Sequence, residues 1–309
     1  MTKVLVEVKN LVVQFGAFKA VNNISFSASQ GEIFGFLGAN GAGKTTTLRV
    51  LTGLLIPSSG SVQVAGIPLN ESTAIQIKSR IGYMSQKFTL YNDLSVAENL
   101  NFTAALRKIP PGRARLRQEQ LLQFIRFQPP LSTLVRDLPP GMKQQVALAN
   151  ALLHDPDLVF LDEPTAGVSP EARQQFWDLI HELCLRGKTL FVSSHYMDEM
   201  EQCHRIALMR SGEVIALDSP AGLKASTFPG KVYELQSRDP QVDRRGLAAW
   251  KAQGVFDLCE PYGTRYHVTV KNQTLWEQFQ SQQSSHWNVR EIAASLEDVF
   301  IHLVEGPGS

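Results

Sequence analysis

The chain predicts an α/β fold: a largely parallel central sheet over its first ~220 residues, then a small ferredoxin-like α+β domain. Three observations carry this. The glycine-rich segment Gly38-Ala39-Asn40-Gly41-Ala42-Gly43-Lys44-Thr45 lies between an apolar strand-like run and a helical stretch. Short apolar runs alternate with helical patterns from Leu158 to Leu217. Beyond a Ser-, Gly- and Pro-rich break at Asp218 to Gly230, the pattern becomes strand, helix, strand, strand, helix, strand.

Taken in order, Val4 to Val8, Leu11 to Phe15 and Ile24 to Ala28 read as strands, a strand-rich opening. Glu32 to Leu37 reads as a buried strand, Thr46 to Leu55 as a helix, and Ser61 to Ala65 as a strand after the turn at Ser58-Ser59-Gly60. Residues ~92 to 154 carry helical patterns, such as Val96 to Leu106 and Leu116 to Phe127, and suggest a helical subdomain. Leu158 to Leu161, Thr189 to Ser193, Ile206 to Met209 and Glu213 to Leu217 read as strands, with Glu171 to Leu185 as a helix. This first domain is placed at 1–226. In the second, placed at 230–304, Lys231 to Gln236, Val255 to Glu260, Arg265 to Val270 and Trp287 to Ile292 read as strands. Gln241 to Gln253, Thr274 to Gln282 and Ser295 to Val304 read as helices, and 305–309 as a flexible tail.

Composition is that of a globular protein, 43% hydrophobic and 19% charged over 309 residues. A formal net charge of +1 gives no footprint for nucleic acid. Cys184, Cys203 and Cys259 are too scattered for a metal cluster or redox pair and suit reduced thiols. The N-terminus lacks the apolar stretch of a signal peptide, and no run of about 18 apolar residues is present to cross a bilayer. The basic run Arg113-Ala114-Arg115-Leu116-Arg117 reads as a solvated helix face.

The glycine-rich segment fits G-x-x-x-x-G-K-[ST], a loop whose backbone amides curl round one anion. The helix that follows directs its positive end to the same point. Gly38, Asn40, Gly41, Ala42, Gly43 and Thr46 would line the phosphate chain of a nucleoside triphosphate, Lys44 would bring a mobile cation, and Thr45 a hydroxyl for Mg²⁺. Some 115 residues later the strand Leu158-Val159-Phe160-Leu161 ends in Asp162-Glu163. A carboxyl group at a strand end beside such a loop suits Mg²⁺, and its neighbour suits activation of water. The strand Thr189 to Val192 runs into Ser193-Ser194-His195, which places a histidine at the edge where open α/β sheets gather ligands. Gln86 brings an amide to Mg²⁺ or the water, and Phe15 an aromatic face.

With these motifs in this order and spacing, the sequence resembles the ATP-binding subunit of an ABC transporter over residues ~3 to 220. The resemblance implies a P-loop core with an antiparallel β-subdomain and a helical subdomain. It implies ATP with Mg²⁺ at Thr45, Gln86 and Asp162, catalysis by Glu163 with His195 and Gln86, and adenine stacking on Phe15. It implies a second ABC ATPase domain, identical or not, that closes head to tail, and a membrane-spanning partner. The place implied is the cytoplasmic face of the plasma (inner) membrane. Pro164 to Val168 and the ending Ser295-Leu296-Glu297-Asp298-Val299-Phe300 look most like drug- and daunorubicin-type exporter ATPases. The alternative is a soluble ABC-type ATPase acting on ribosomes or nucleic acid. The single ATPase half, the lack of long coiled-coil or zinc insertions and the near-neutral charge speak against it.

Two positions depart from the resemblance. The signature segment reads Leu138-Pro139-Pro140-Gly141-Met142-Lys143-Gln144-Gln145, with Pro139 where serine is usual and Gly141 retained for the partner's phosphate. The lost donor corresponds to roughly 1.5–3 kcal/mol for a charge-assisted hydrogen bond. Ser169 stands where the following loop usually has aspartate. Both changes touch what the chain gives a partner, not its own loop.

Overall fold

The computed structural model describes residues 3–86, 90–238 and 244–305. The chain divides into two compact units, Met1–Ser219 and Pro220–Ser309.

The first unit opens with a long antiparallel pair, β1 (Val4–Phe15) and β2 (Phe18–Ser29), joined at Gly16. The three predicted strand segments are therefore two bulged strands, because Asn10 and Asn23 adopt positive φ without ending the pairing. β3 (Ile33–Leu37) leads into α1 (Lys44–Leu51), followed by β4 (Ser59–Val64) and the short β5 (Ile67–Pro68). Next come α2 (Ala74–Arg80), β6 (Ile81–Met84), α3 (Val96–Leu106), α4 (Pro111–Phe124) and α5 (Pro140–Leu152). The unit ends with β7 (Leu158–Asp162), α6 (Pro170–Leu185), β8 (Thr189–Ser194), the single turn α7 (Met197–Met200), β9 (Arg205–Arg210) and β10 (Glu213–Asp218).

β1, β2, β4 and β5 form an antiparallel sheet in the order β2-β1-β4-β5. The second sheet runs β10-β9-β3-β8-β7-β6, parallel throughout except for β10. β3, β7 and β8 are buried at every residue, as expected of parallel strands covered on both faces. On one face Phe34, Phe36, Phe160 and Phe191 pack ring to ring, with centroids 5.0–5.9 Å apart, and Phe26 of β2 joins them. The other face of β3 carries Gly35, where a Cβ would lie 2.6 Å from Met200 Sδ; the missing side chain lets α7 approach. The predicted helical block contains α3 to α5, and α3 starts at a capping box of Ser95 and Glu98.

The second unit begins earlier than the sequence suggests. Helix α8 (Pro220–Thr227) belongs to it, because it packs on the closing helix Leu296–Glu305 and the neighbouring Phe228 packs on the ring of His302. Then follow β11 (Val232–Ser237), α9 (Arg244–Ala252), β12 (Phe256–Tyr262), β13 (Arg265–Val270), α10 (Gln273–Gln283), β14 (Trp287–Ile292) and α11 (Leu296–Glu305). The first residues of the helix expected from Gln241, and all but the first of the tail expected at 305–309, lie outside the described residues. The sheet order β12-β13-β11-β14, antiparallel throughout, is the ferredoxin-like arrangement. Trp276, Phe279, Phe256 and Leu235 form its core.

Under this core lies a buried polar network. His267 Nδ1 is 2.6 Å from Asp298 Oδ1, and its ring stacks on Tyr262 at 4.3 Å. Glu234 accepts from Arg265 at 2.9 Å and Arg290 at 3.2 Å. Burial works to raise the Asp298 pKa, but hydrogen bonds from His267 and Ser295 prevail and hold it below the ordinary value of 3.8. A carboxyl group depressed in this way stabilises the fold above its unfolded pKa. That contribution is lost as pH falls through the lower folded value. Urea unfolding of the full chain between pH 6 and 2 should therefore show stability falling below about pH 4, and Asp298→Asn should flatten that slope. Tryptophan fluorescence reports it, since Trp250, Trp276 and Trp287 lie in this unit and Trp177 in the other.

Candidate functional site

Parallel pairing aligns the ends of three strands. Leu37 pairs with Ser194, and Ser193 with Asp162, so the loop after β3, the end of β7 and the end of β8 meet at one sheet edge. The glycine-rich loop turns from β3 into α1 at this edge. Gly43 caps the helix with φ 104°, and a Cβ there would meet Ala20 O at 2.7 Å. At Gly38 a Cβ would lie 2.3 Å from Met209 O. The loop can follow this path only without those side chains. The amides of the first turn of α1 have no helical acceptors and face the loop's interior.

Lys44 is buried, and its ammonium donates to Gly38 O at 2.6 Å and Ala39 O at 3.1 Å, with Glu163 Oε1 3.7 Å away. Burial lowers its pKa, and Glu163 and Asp162 counter part of that shift. Thr45 Oγ1 donates to Asp162 Oδ1 at 3.0 Å, and Ser193 Oγ to the same oxygen at 2.7 Å. Asp162 Oδ2 is buried without a hydrogen-bond partner. Burial raises the Asp162 pKa against those two hydrogen bonds. Beside it Glu163 adopts φ 47°, a left-handed geometry that is costly for a glutamate. Its amide donates to Ser193 Oγ at 3.0 Å, and Gln86 Nε2 donates to Glu163 Oε2 at 3.0 Å. His195 Nδ1 lies 3.5 Å from that Oε2.

Lys44, Thr45, Gln86, Asp162, Glu163 and His195 are thus brought together from four separate segments. A cleft of ≈ 390 Å³ opens beside them, lined by Asn40 to Thr46, Gln86, Glu163, Ala20 and Phe18; Asp162 and His195 adjoin it through Thr45 and Glu163. The aromatic ring on this lining is Phe18, its side chain 65% exposed; Phe15 pairs with it across the hairpin and is 53% exposed. Sequence reasoning did not single out Phe18 or Ser193. Ser193 links both acidic residues, yet a small polar residue at a strand end has no periodic signal.

Gly141 lies elsewhere in this unit, in the first turn of α5, beside a cavity of ≈ 690 Å³ also lined by Pro139, Pro140, Gly167 and Ser169. A Cβ on Gly141 would come within 2.8 Å of Ala172 Cβ, so this glycine sets how closely α5 approaches α6. Pro139 and Pro140 occupy the cap and first position of α5 and have no N–H. Of the four free amides a helix start normally offers, those of Gly141 and Met142 remain. Ser169 caps α6, its Oγ accepting from Ala172 N at 3.3 Å.

A family model described as ABC transporter matches residues 21–166. The Nod factor export ATP-binding protein I of Paraburkholderia xenovorans is 33% identical over 312 residues, 98% of each chain. This chain belongs to the ABC transporter ATP-binding proteins. Among these ATP-binding cassettes, the probable multidrug ABC transporter ATP-binding protein YbhF of Escherichia coli is 42% identical over 224 residues. That match takes in 72% of this chain and 38% of YbhF, so the matched cassette is less than half of that relative. Among solved structures, cbiO1 from Clostridium perfringens, part of the transporter complex cbiONQ, superposes with a TM-score of 0.67 at 27% identity. It covers 72% of this chain and 91% of its own. A dimeric bacterial ABC transporter cassette, 24% identical with a TM-score of 0.64, shares the fold over 70% of this chain and 98% of its own.

The packing at the start of α5 generates a test within this cassette. Gly141→Ala should cost about 1–3 kcal/mol by overpacking. Ala172→Gly in the same chain should restore most of it, as read by thermal unfolding.

Proposed function

We propose that this chain is the ATP-binding and ATP-hydrolysing subunit of an ABC exporter. The observation that carries this reading is the convergence of Lys44, Thr45, Asp162, Glu163, Gln86 and His195, of which Lys44, Thr45, Gln86 and Glu163 line one cleft. The triphosphate of ATP would take the amides of the loop and compete with Gly38 O and Ala39 O for the Lys44 ammonium. The residues fit Mg²⁺, a cation that prefers oxygen ligands: Thr45 supplies a hydroxyl, and buried Asp162 has an oxygen with no partner. Gln86 completes the proposed set. When bound, Mg²⁺ would neutralise phosphate charge there.

Glu163 is the proposed base for the attacking water, aimed by its left-handed backbone and by the hydrogen bond from Gln86. His195 faces the same carboxyl group and would sense the terminal phosphate. Phe15 or Phe18 would stack on adenine, and Phe18 is the ring on the cleft. The names of the relatives, a multidrug transporter and a Nod factor exporter, support export rather than import.

No helix among the described residues is long and apolar enough to cross a membrane; the proposed path for cargo is a membrane-spanning subunit, separate or fused. The proposed place is peripheral, on the cytoplasmic face. Docking of the membrane partner is proposed at Lys87 to Asn92. Lys87, Phe88 and Thr89 lie outside the described residues. At its described end, exposed Tyr91 packs edge-on against exposed Phe102 at 5.0 Å, with Leu106 exposed one turn on. These exposed apolar side chains support an apolar contact there.

A second cassette is proposed to close on the cleft, with each lending its signature loop to the other. The two prolines at the start of α5 leave this chain's donated loop short of amides, which favours a non-identical partner.

Two measurements test the reading. Lys44→Ala should abolish binding of a fluorescent ATP analogue. Glu163→Gln should keep binding but slow hydrolysis by about 10²–10⁴-fold, with retained hydrolysis counting against Glu163 as base. Light scattering of Glu163→Gln with Mg-ATP and Mg-ADP then reads pairing. An ATP-specific homodimer argues against a required second kind of cassette, and a persistent ATP-bound monomer argues for one.

A further inference from the structure

We propose that Glu199 and Arg173 are positioning residues for ATP hydrolysis. They complete a ring of contacts that fixes His195 against Glu163. The inference rests on the reading of Glu163 and His195 as the residues at the reacting phosphate.

The ring can be followed contact by contact. From Glu163 the chain turns at once, with Ala166 N donating to Glu163 O at 3.2 Å. Thr165 within that turn is buried, and its Oγ1 donates to Glu199 Oε1 at 2.5 Å. Arg173 Nε, in the first turn of α6, lies 3.3 Å from the same oxygen. The Arg173 guanidinium also lies 4.0 Å from the centre of the Tyr196 ring. Tyr196 in turn packs on His195 with ring centres 4.1 Å apart, and His195 Nδ1 returns to Glu163 Oε2 at 3.5 Å. The residues come from three segments: the turn after β7, the start of α6, and the β8–α7 junction.

Two features separate this ring from ordinary packing. The first is its cost. Glu199 is 1% exposed, yet its Oε2 has no hydrogen-bond partner. Burying a carboxyl group that is only half satisfied opposes stability, and an apolar residue of similar size would serve packing better. The second is the weakness of α7. It has four residues, too few to be stable by itself, so its place depends on what anchors it. Met200 anchors it to the sheet beneath Gly35, and Glu199 anchors it to Thr165 and Arg173. His195 and Tyr196 form the junction between β8 and α7, so the Glu199 contacts set where the imidazole stands. The same oxygen holds the turn that follows Glu163. The histidine and the segment beyond the base therefore share one anchor, and one should not shift without the other.

The test uses the full chain, with ATP hydrolysis read as kcat and KM and binding read with a fluorescent ATP analogue. Glu199→Gln should lower kcat by about tenfold to a hundredfold, with KM and the dissociation constant within about twofold. Arg173→Lys should retain more activity than Arg173→Met. Combining Glu199→Gln with Tyr196→Leu should cost little more than the worse single change, because both open the same ring. Should Glu199→Gln fail to fold, Tyr196→Leu carries the kcat test, since it removes no buried charge. A kcat within twofold of wild type in the folded variants overturns the proposal, as does a double variant whose losses multiply. A wild-type rate no greater than that of Glu163→Gln would instead overturn the hydrolysis reading, and the ring's role with it.

Discussion

The hydrogen bond from Thr45 to Asp162 joins two segments 117 residues apart, and the candidate site is organised around it. It ties the first turn of α1 to the end of β7, and Ser193 closes the arrangement from β8 with a second bond to the same oxygen. That bonding requires the three strands to end level, which the parallel register of β3, β8 and β7 provides. The register in turn needs the covered sheet faces, with stacked phenylalanines on one side and α7 against Gly35 on the other. A one-residue slip of β7 would displace its core side chains and Asp162 together. Core packing and site geometry are one constraint here.

Much of this was legible in the sequence because the motifs are local. Gly38 to Thr45 states its own backbone path, and Leu158 to Glu163 is a buried strand with an acidic end. The ferredoxin-like order of the second unit was readable because its strands and helices alternate cleanly. What escaped is short or non-local. α2, β6 and α7 span seven, four and four residues, below the length at which periodicity speaks. Ser193, Glu199 and Arg173 matter through partners far along the chain. The boundary was placed at 226 because α8 looks like a tail of the first unit, whereas it packs on α11 in the second.

The start of α5 shows how local covalent chemistry reaches an interface. Consecutive prolines suit a helix start, where amides lack intrahelical acceptors in any case, so the fold loses nothing. A loop that must present those amides to a ligand on another chain loses two donors. The same residues are thus neutral for this unit's stability and costly for what it offers a partner. On that asymmetry the proposed non-identical pairing rests.

The two units treat buried charge in opposite ways. In the second, His267, Asp298 and Glu234 satisfy one another and the nearby arginines, and none of the three leaves a buried polar atom unpaired. Such a network holds a fold together and asks for no ligand. In the first, Asp162 Oδ2 and His195 Nδ1 are buried without a hydrogen-bond partner. They accompany a glutamate in left-handed geometry and a lysine whose burial lowers its pKa. Stability alone would remove every one of these features. Their concentration about a cleft over the glycine-rich loop is what the proposed site requires when its missing partners arrive with the substrate.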